Sequence, residues 1–183
     1  MGLGGGPSEW DDYEWVRLAE PEVEPLAQAL VDWLDSNPLW VAGSAQRVLL
    51  VDLDNLRADP RRWRARMAAV VALARHSDHV VLAGQTAAVR RAKPHLAEFA
   101  GHSHSVSHGS DLADQVLLDA VQALDLERPQ FVVVSNDGIF AGLAERGPLL
   151  VLSPGRDALS DRLDRAADRV VDLVSLESAA GAG

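Results

Sequence analysis

Cysteine is absent from this sequence. That absence excludes disulfides, zinc–thiolate centres and cysteine nucleophiles, and it fits a reducing cytoplasm. Long apolar runs are missing too: none approaches the roughly 18 residues of a membrane span, and the opening MGLGGGPSEWDDYEW does not read as a secretory signal. Gly6 stands where a myristoylation signal carries Ser or Thr. The expected setting is therefore cytoplasmic, with no membrane. Lysine is nearly absent, Lys93 being the single example, so the remaining strong bases are all arginine. A net positive charge is also lacking: the formal charge is −10, which argues against a whole-surface nucleic-acid binder.

The charge that is present is unevenly placed. Positions 8–35 hold nine acids against Arg17 alone, whereas positions 57–93 hold nine bases against Asp59 and Asp78. An acidic molecule with one basic sector can still grip a phosphate backbone through that sector. At 183 residues, 48% of them apolar, the chain is long enough to bury one real core.

Three parts follow. Residues 1–45 form an acidic, aromatic extension in which PEVEPLAQALVDWLDSNP repeats Val23, Leu26, Leu30 and Trp33/Leu34 at helical spacing, with Pro21 in a first turn and Asn37-Pro38 as the stop. Trp10, Tyr13, Trp15 and Trp40 read as its anchors. Residues 46–176 form the main domain. Its expected strands are RVLLVDL, HVVLAG, QFVVVS, PLLVLS and RVVDLV; between them lie the expected helices PRRWRARMAAVVALARHS, TAAVRRAKPHLAEFA, SDLADQVLLDAVQAL, DGIFAGLAE and DALSDRLDRAAD. Unbroken Val/Leu strands separated by helices predict an α/β fold of three layers around a mainly parallel sheet. GHSHSVSHGS reads either as a short strand around Val106 or as a loop. Residues 177–183 read as a flexible tail.

Ligands of such sheets bind beyond the carboxyl ends of the strands. Asp52 ends the first core strand, Asp137 follows QFVVVSN, and Asp114 lies in the first turn of SDLADQVLL. All three are expected at one edge, where uncompensated carboxylates repel and a hard divalent cation, Mg²⁺ or Mn²⁺, is the natural neutraliser. Taken singly, each has a plainer reading: Asp54 and Asn55 as a strand-to-helix turn, Asp111 and Asp114 as a capping box, Asp137 as an N-cap.

LLVDLDN, SDLADQVLLDAV and FVVVSNDGIFAGLAERGPLLVLS, in this order, resemble the motifs of NYN domains in the PIN-like nuclease superfamily, over about residues 47–173. The resemblance implies a PIN-like sheet and a metal-dependent endoribonuclease acting on single-stranded RNA, in a family whose domains often pair as dimers. It matches Asp52 and Asn55 to the first motif, Asp114 and Asp119 to the second, and Ser135, Asp137 and Phe140 to the third. The acids would hold the metal, Asn55 and Ser135 would orient them, and Phe140 would pack. The sequence departs from the pattern at Ile139, where many members carry a second carboxylate, at Asn136 in place of Gly, and at Ser110 and Asp111, where many have Lys. Asp54, Asp111 and Asp119 are the acids available to compensate, although Asp119 lies about 140° around a helix from Asp114.

Within the basic sector, Trp63, Met67, Val70, Val71 and Ala74 form the buried stripe of one helix, leaving Arg61, Arg62, Arg64 and Arg66 to project elsewhere. With Arg57, Arg90, Arg91 and Lys93 they make the expected RNA track, and the acidic N-terminal helix is a candidate to dock over it. His102, His104 and His108, without cysteine, read as polar loop residues rather than a metal site. Two other readings compete. DLDN also resembles the D-x-D of haloacid-dehalogenase-like phosphatases, with Asp52 as nucleophile, Asp54 as general acid and Thr86, Lys93 and Asp137 in support. Alternatively the fold has lost its full acid set, as Ile139 hints, and binds RNA or a protein without catalysis.

Overall fold

The computed structural model describes residues 24–41, 43, 45–107 and 111–181. In chain order they form α1 (Pro25–Asp35), the single turn α2 (Pro38–Val41), β1 (Gln46–Asp52), α3 (Pro60–Arg75), β2 (His79–Gln85), α4 (Thr86–Leu96), β3 (Ser103–Val106), α5 (Leu112–Gln122), β4 (Pro129–Val134), β5 (Leu149–Ser153), α6 (Asp161–Ala166), β6 (Arg169–Asp172) and α7 (Leu173–Ala179). The six strands make one sheet in the order β3-β2-β1-β4-β5-β6, and every neighbouring pair is parallel.

Alternation along the strands builds a core on each face. Leu49, Val51, Leu82, Val132, Val134, Leu150 and Leu152 face α1, α3 and α4, while Val48, Leu50, Val81, Phe131, Val133, Leu149 and Val151 face α5 and the 3₁₀ segment Gly138–Glu145. β1, β4 and β5 each carry an unbroken run of four apolar residues, as a parallel sheet covered on both faces requires. The order reverses between β1 and β4. That topological switch point is where an open α/β sheet presents a crevice.

The N-terminal helix is present over Pro25–Asp35, with Glu24 accepting from Ala27 N at 3.0 Å and Pro25 in the first turn. It docks on the arginine-rich helix α3, through apolar rather than acidic contacts: Leu26, Leu30 and Leu34, four apart, enter the same core as Ala65 and Ala69. Burial of each leucine contributes roughly 1.5–3 kcal/mol, so α1 is a working part of the core. Trp40 is buried beside it, while Trp10, Tyr13, Trp15, Pro21 and Val23 lie outside the described residues.

Four expectations are corrected or resolved. GHSHSVSHGS does contain a strand, β3, at the edge of the sheet. DGIFAGLAE winds as a 3₁₀ helix over Gly138–Glu145. RVVDLV is strand only to Asp172, whose carboxylate accepts from Val174 N at 3.2 Å and from Ser175 Oγ at 2.6 Å, turning the chain into α7. The expected boundary at 176–177 therefore falls inside a helix. Glu177, placed in a flexible tail by composition, is 1% exposed.

Candidate metal centre

Asp52 closes β1 and is buried. Its Oδ1 accepts from Asp54 N at 3.0 Å, and its Oδ2 accepts from the Asn55 amide Nδ2, so the carboxylate is clamped by the turn it begins. Asp54 turns the other way: its Oδ2 accepts from Gln85 N at 2.8 Å, at the end of β2, and its Oδ1 stands 3.7 Å from Arg57 Nη2. Burial pushes Asp52 above its ordinary pKa; the hydrogen bonds from Asn55 and Asp54 N pull it partly back, and the Asp54 charge pushes it up again.

Asp114 is the third residue of α5 and only 5% exposed. The capping box does not form, since the Asp111 side chain makes no cap hydrogen bond. Asp114 Oδ1 is instead buried with no hydrogen-bond partner among the described residues. Its pKa is raised to about 7, first by burial and then by the charges of Asp52, Asp137, Asp111 and Asp54. These are the acids expected at this edge, and their fields reach one buried carboxyl.

Asp137 does cap, its Oδ1 accepting from Ile139 N at 2.9 Å. Its own N–H donates to Ser135 Oγ at 3.1 Å, so the fully buried Ser135 sets the backbone from which Asp137 projects. Gly138 follows for a steric reason: a Cβ there would lie 2.5 Å from Ser160 Oγ. Phe140 is buried, as expected of a packing residue, and Ile139 is exposed beside Asp137. Asn136, read from sequence only as a departure, has a job: its Nδ2 donates to Gly155 O at 3.1 Å and its Oδ1 accepts from Ser153 Oγ at 2.6 Å, tying the ends of β4 and β5 together. No sequence signal links positions so far apart.

The donor set suits a hard cation: several carboxylates, two buried oxygens without a hydrogen-bond partner (Asp54 Oδ1 and Asp114 Oδ1), and, among the described residues, no basic side chain paired to them beyond Arg57, at 3.7 Å from Asp54. Even so, among the described residues no three His, Asp or Glu side chains close around one point as metal ligands. The fit rests on donor chemistry and on the unpartnered Asp114 Oδ1. Asp119 is exposed and accepts from Gln115 Nε2 at 2.7 Å, about 140° around α5 from Asp114.

The arginine track divides. Arg66 and Arg62 are removed from it, because both pair with Glu177: Arg66 Nε reaches Oε1 at 2.5 Å, and Arg62 Nη2 reaches Oε2 at 2.6 Å. Arg66 is 3% exposed and also donates to Leu56 O and Pro154 O, at 3.3 and 3.2 Å. Arg61 donates to Gly181 O at 3.0 Å, and Arg64, Arg90 and Lys93 are exposed. Arg57, 3.7 Å from Asp54, lines a pocket together with Arg91. Lys93, the expected phosphatase lysine, sits in the last turn of α4, seven residues and about 10 Å along the axis from the sheet edge. Asp54, the expected general acid, is tied to Gln85 N. His108 lies outside the described residues, as does Ser110.

No helix among the described residues is long and apolar enough to cross a membrane. No protein-family model matches the chain, and no curated protein matches it.

Proposed function

We propose that the chain is a Mg²⁺- or Mn²⁺-dependent endoribonuclease of the NYN kind, hydrolysing phosphodiester bonds of single-stranded RNA. The observation that carries this reading is the buried, unpartnered Oδ1 of Asp114 at the switch point, within the fields of Asp52, Asp54, Asp111 and Asp137. A protein keeps such a group only where something else satisfies it. Asp52, Asp114 and Asp137 would hold the cation, which when bound supplies electrophilic assistance to phosphoryl transfer.

The chain's own residues supply the positioning. Asn55 and Asp54 N fix the rotamer of Asp52, leaving its plane no freedom to swing away. Ser135 holds the Asp137 backbone, and Asn136 with Ser153 holds the loop behind it.

The test is Mn²⁺ calorimetry on wild type and Asp52→Asn, followed by cleavage of labelled single-stranded RNA with the same two proteins. Binding and cutting by the wild type, both lost in the variant, are expected. Folded wild type that neither binds Mn²⁺ nor cuts RNA would sink the nuclease reading and leave a fold that binds RNA or protein, with Ile139 marking the missing acid.

A further inference from the structure

One pocket of the molecule has not been accounted for by the acid cluster. It measures about 270 Å³ and is lined by Arg57, Trp63, Ala87, Ala88 and Arg91. That is just below the roughly 300–1,000 Å³ of sites that enclose a whole small molecule, so it suits one part of a longer ligand. Its lining side chains offer donors and apolar surface and no acceptor. Arg91 is held in place, its guanidinium 4.5 Å from the Trp63 ring centroid and its Nη2 donating to Ala58 O at 3.2 Å. Trp63 is 3% exposed, and its Nε1–H has no acceptor among the described residues. Ala87 and Ala88 are the second and third residues of α4, whose N-cap Gln85 makes no side-chain cap bond, so their amides begin the helix without intrahelical partners. Two guanidinium groups, an unpartnered indole donor and a helix N-terminus make a site for an anion.

We infer that this pocket is a subsite for one backbone phosphate of single-stranded RNA, an inference that rests on the ribonuclease reading. Its place relative to the acids follows from Asp54, whose Oδ1 stands 3.7 Å from Arg57 Nη2 on the pocket side and whose backbone N–H donates to Asp52 Oδ1 at 3.0 Å. A strand running along the sheet edge would set one phosphate against Arg57 and Arg91 and a neighbouring linkage against Asp52 and Asp114. Arg57 is 65% exposed in its side chain and free to close on the ligand.

The experiment is fluorescence anisotropy of the full chain with a short 5′-fluorescein-labelled oligouridylate in EDTA, where binding is read without cleavage. Arg57→Gln, the double variant Arg57→Gln/Arg91→Gln and a control, Arg169→Gln at the opposite edge of the sheet, are titrated across a salt series. The double variant should bind about tenfold more weakly, and its slope of log affinity against log salt should flatten by about 0.7, the share of one phosphate on a single strand. Because Arg91 also supports Trp63 and Ala58, the exposed Arg57→Gln must show a loss of its own. Losses no larger than those of Arg169→Gln would overturn the subsite, as would a wild type that does not bind the probe. Cleavage in Mn²⁺ separates the two readings. Intact cutting with unchanged binding in the variants removes the subsite alone, whereas subsite-dependent binding by a wild type that never cuts removes the nuclease alone.

Discussion

Two clusters of buried charge lie on opposite faces of the same sheet edge, and they are neutralised differently. In one, Glu177 of α7 receives both Nε and Nη2 of Arg62 and both Nε and Nη2 of Arg66, at 2.5 to 3.3 Å. Every charge there has its partner inside the chain, and Arg66 spends its remaining donors on the carbonyls of Leu56 and Pro154. In the other, Asp114 is as buried as Arg66, yet its neighbours are further acids and one of its oxygens has no partner. A buried ion that the chain itself compensates holds structure together. One that the chain leaves uncompensated is destabilising and points to a ligand from outside.

The largest effect should come from breaking the compensated cluster. Glu177→Gln keeps the volume and removes the charge, leaving Arg66 buried with nothing to neutralise it. The expected loss is about 3–5 kcal/mol, the usual result of removing one partner from a buried ion pair, read as a lower urea midpoint. Since Arg66 also anchors the turn after Asp52 through Leu56 O, the proposed RNA cleavage should fall too. A loss under 1 kcal/mol would mean that the pair is solvated in solution and that α7 contributes little.

The uncompensated cluster should respond with the opposite sign. Asp114 has its folded pKa raised from an ordinary 3.8 to about 7, so the folded state binds the proton more tightly than the unfolded chain does. Its contribution to stability is then fully present below pH 4 and is lost as pH rises through 7. Asp114→Asn, which never ionises, should therefore be more stable than the metal-free wild type at pH 8, by about 2–4 kcal/mol, and the difference should vanish by pH 4. Parallel stability curves for the two proteins from pH 4 to 8 would show that Asp114 is not strained. Under the nuclease reading proposed above, the same substitution should also abolish Mn²⁺ binding and RNA cleavage.

How far each cluster could be read from sequence follows from the range of its contacts. The acids were legible because each sits at a recognisable place, the end of an apolar strand or the first turn of a helix, and the parallel sheet does the rest. β1, β2, β4 and β5 were legible for the same reason, as buried Val/Leu runs. β3 was ambiguous because an edge strand of His and Ser carries no apolar run. The arginine–glutamate cluster was illegible: Arg66 and Glu177 are 111 residues apart, and the sequence places Arg66 on the expected RNA track and Glu177 in a tail. Helical periodicity can say which residues leave the apolar stripe. It cannot say what other element waits there.

The smallest expected effect belongs to Asp119, and it is the most direct check on where the acid cluster ends. The family resemblance places Asp119 in the middle motif beside Asp114, whereas the structure turns it to solvent, where it accepts from Gln115 one turn earlier on α5. An exposed pair of this spacing contributes about 0.2–0.5 kcal/mol to a helix. Asp119→Asn should therefore shift stability by no more than about 0.5 kcal/mol, and should leave Mn²⁺ affinity and RNA cleavage within twofold of wild type. Calorimetry and a cleavage time course on this variant, run beside Asp114→Asn, set an exposed acid against a buried one five residues away on one helix. A tenfold loss of Mn²⁺ affinity in Asp119→Asn would extend the cluster along α5 and make Asp119 the missing acid that Ile139 does not supply. Silence at Asp119 with loss at Asp114 confines the cluster to the first turn, where burial rather than sequence spacing decides which carboxylate carries the charge.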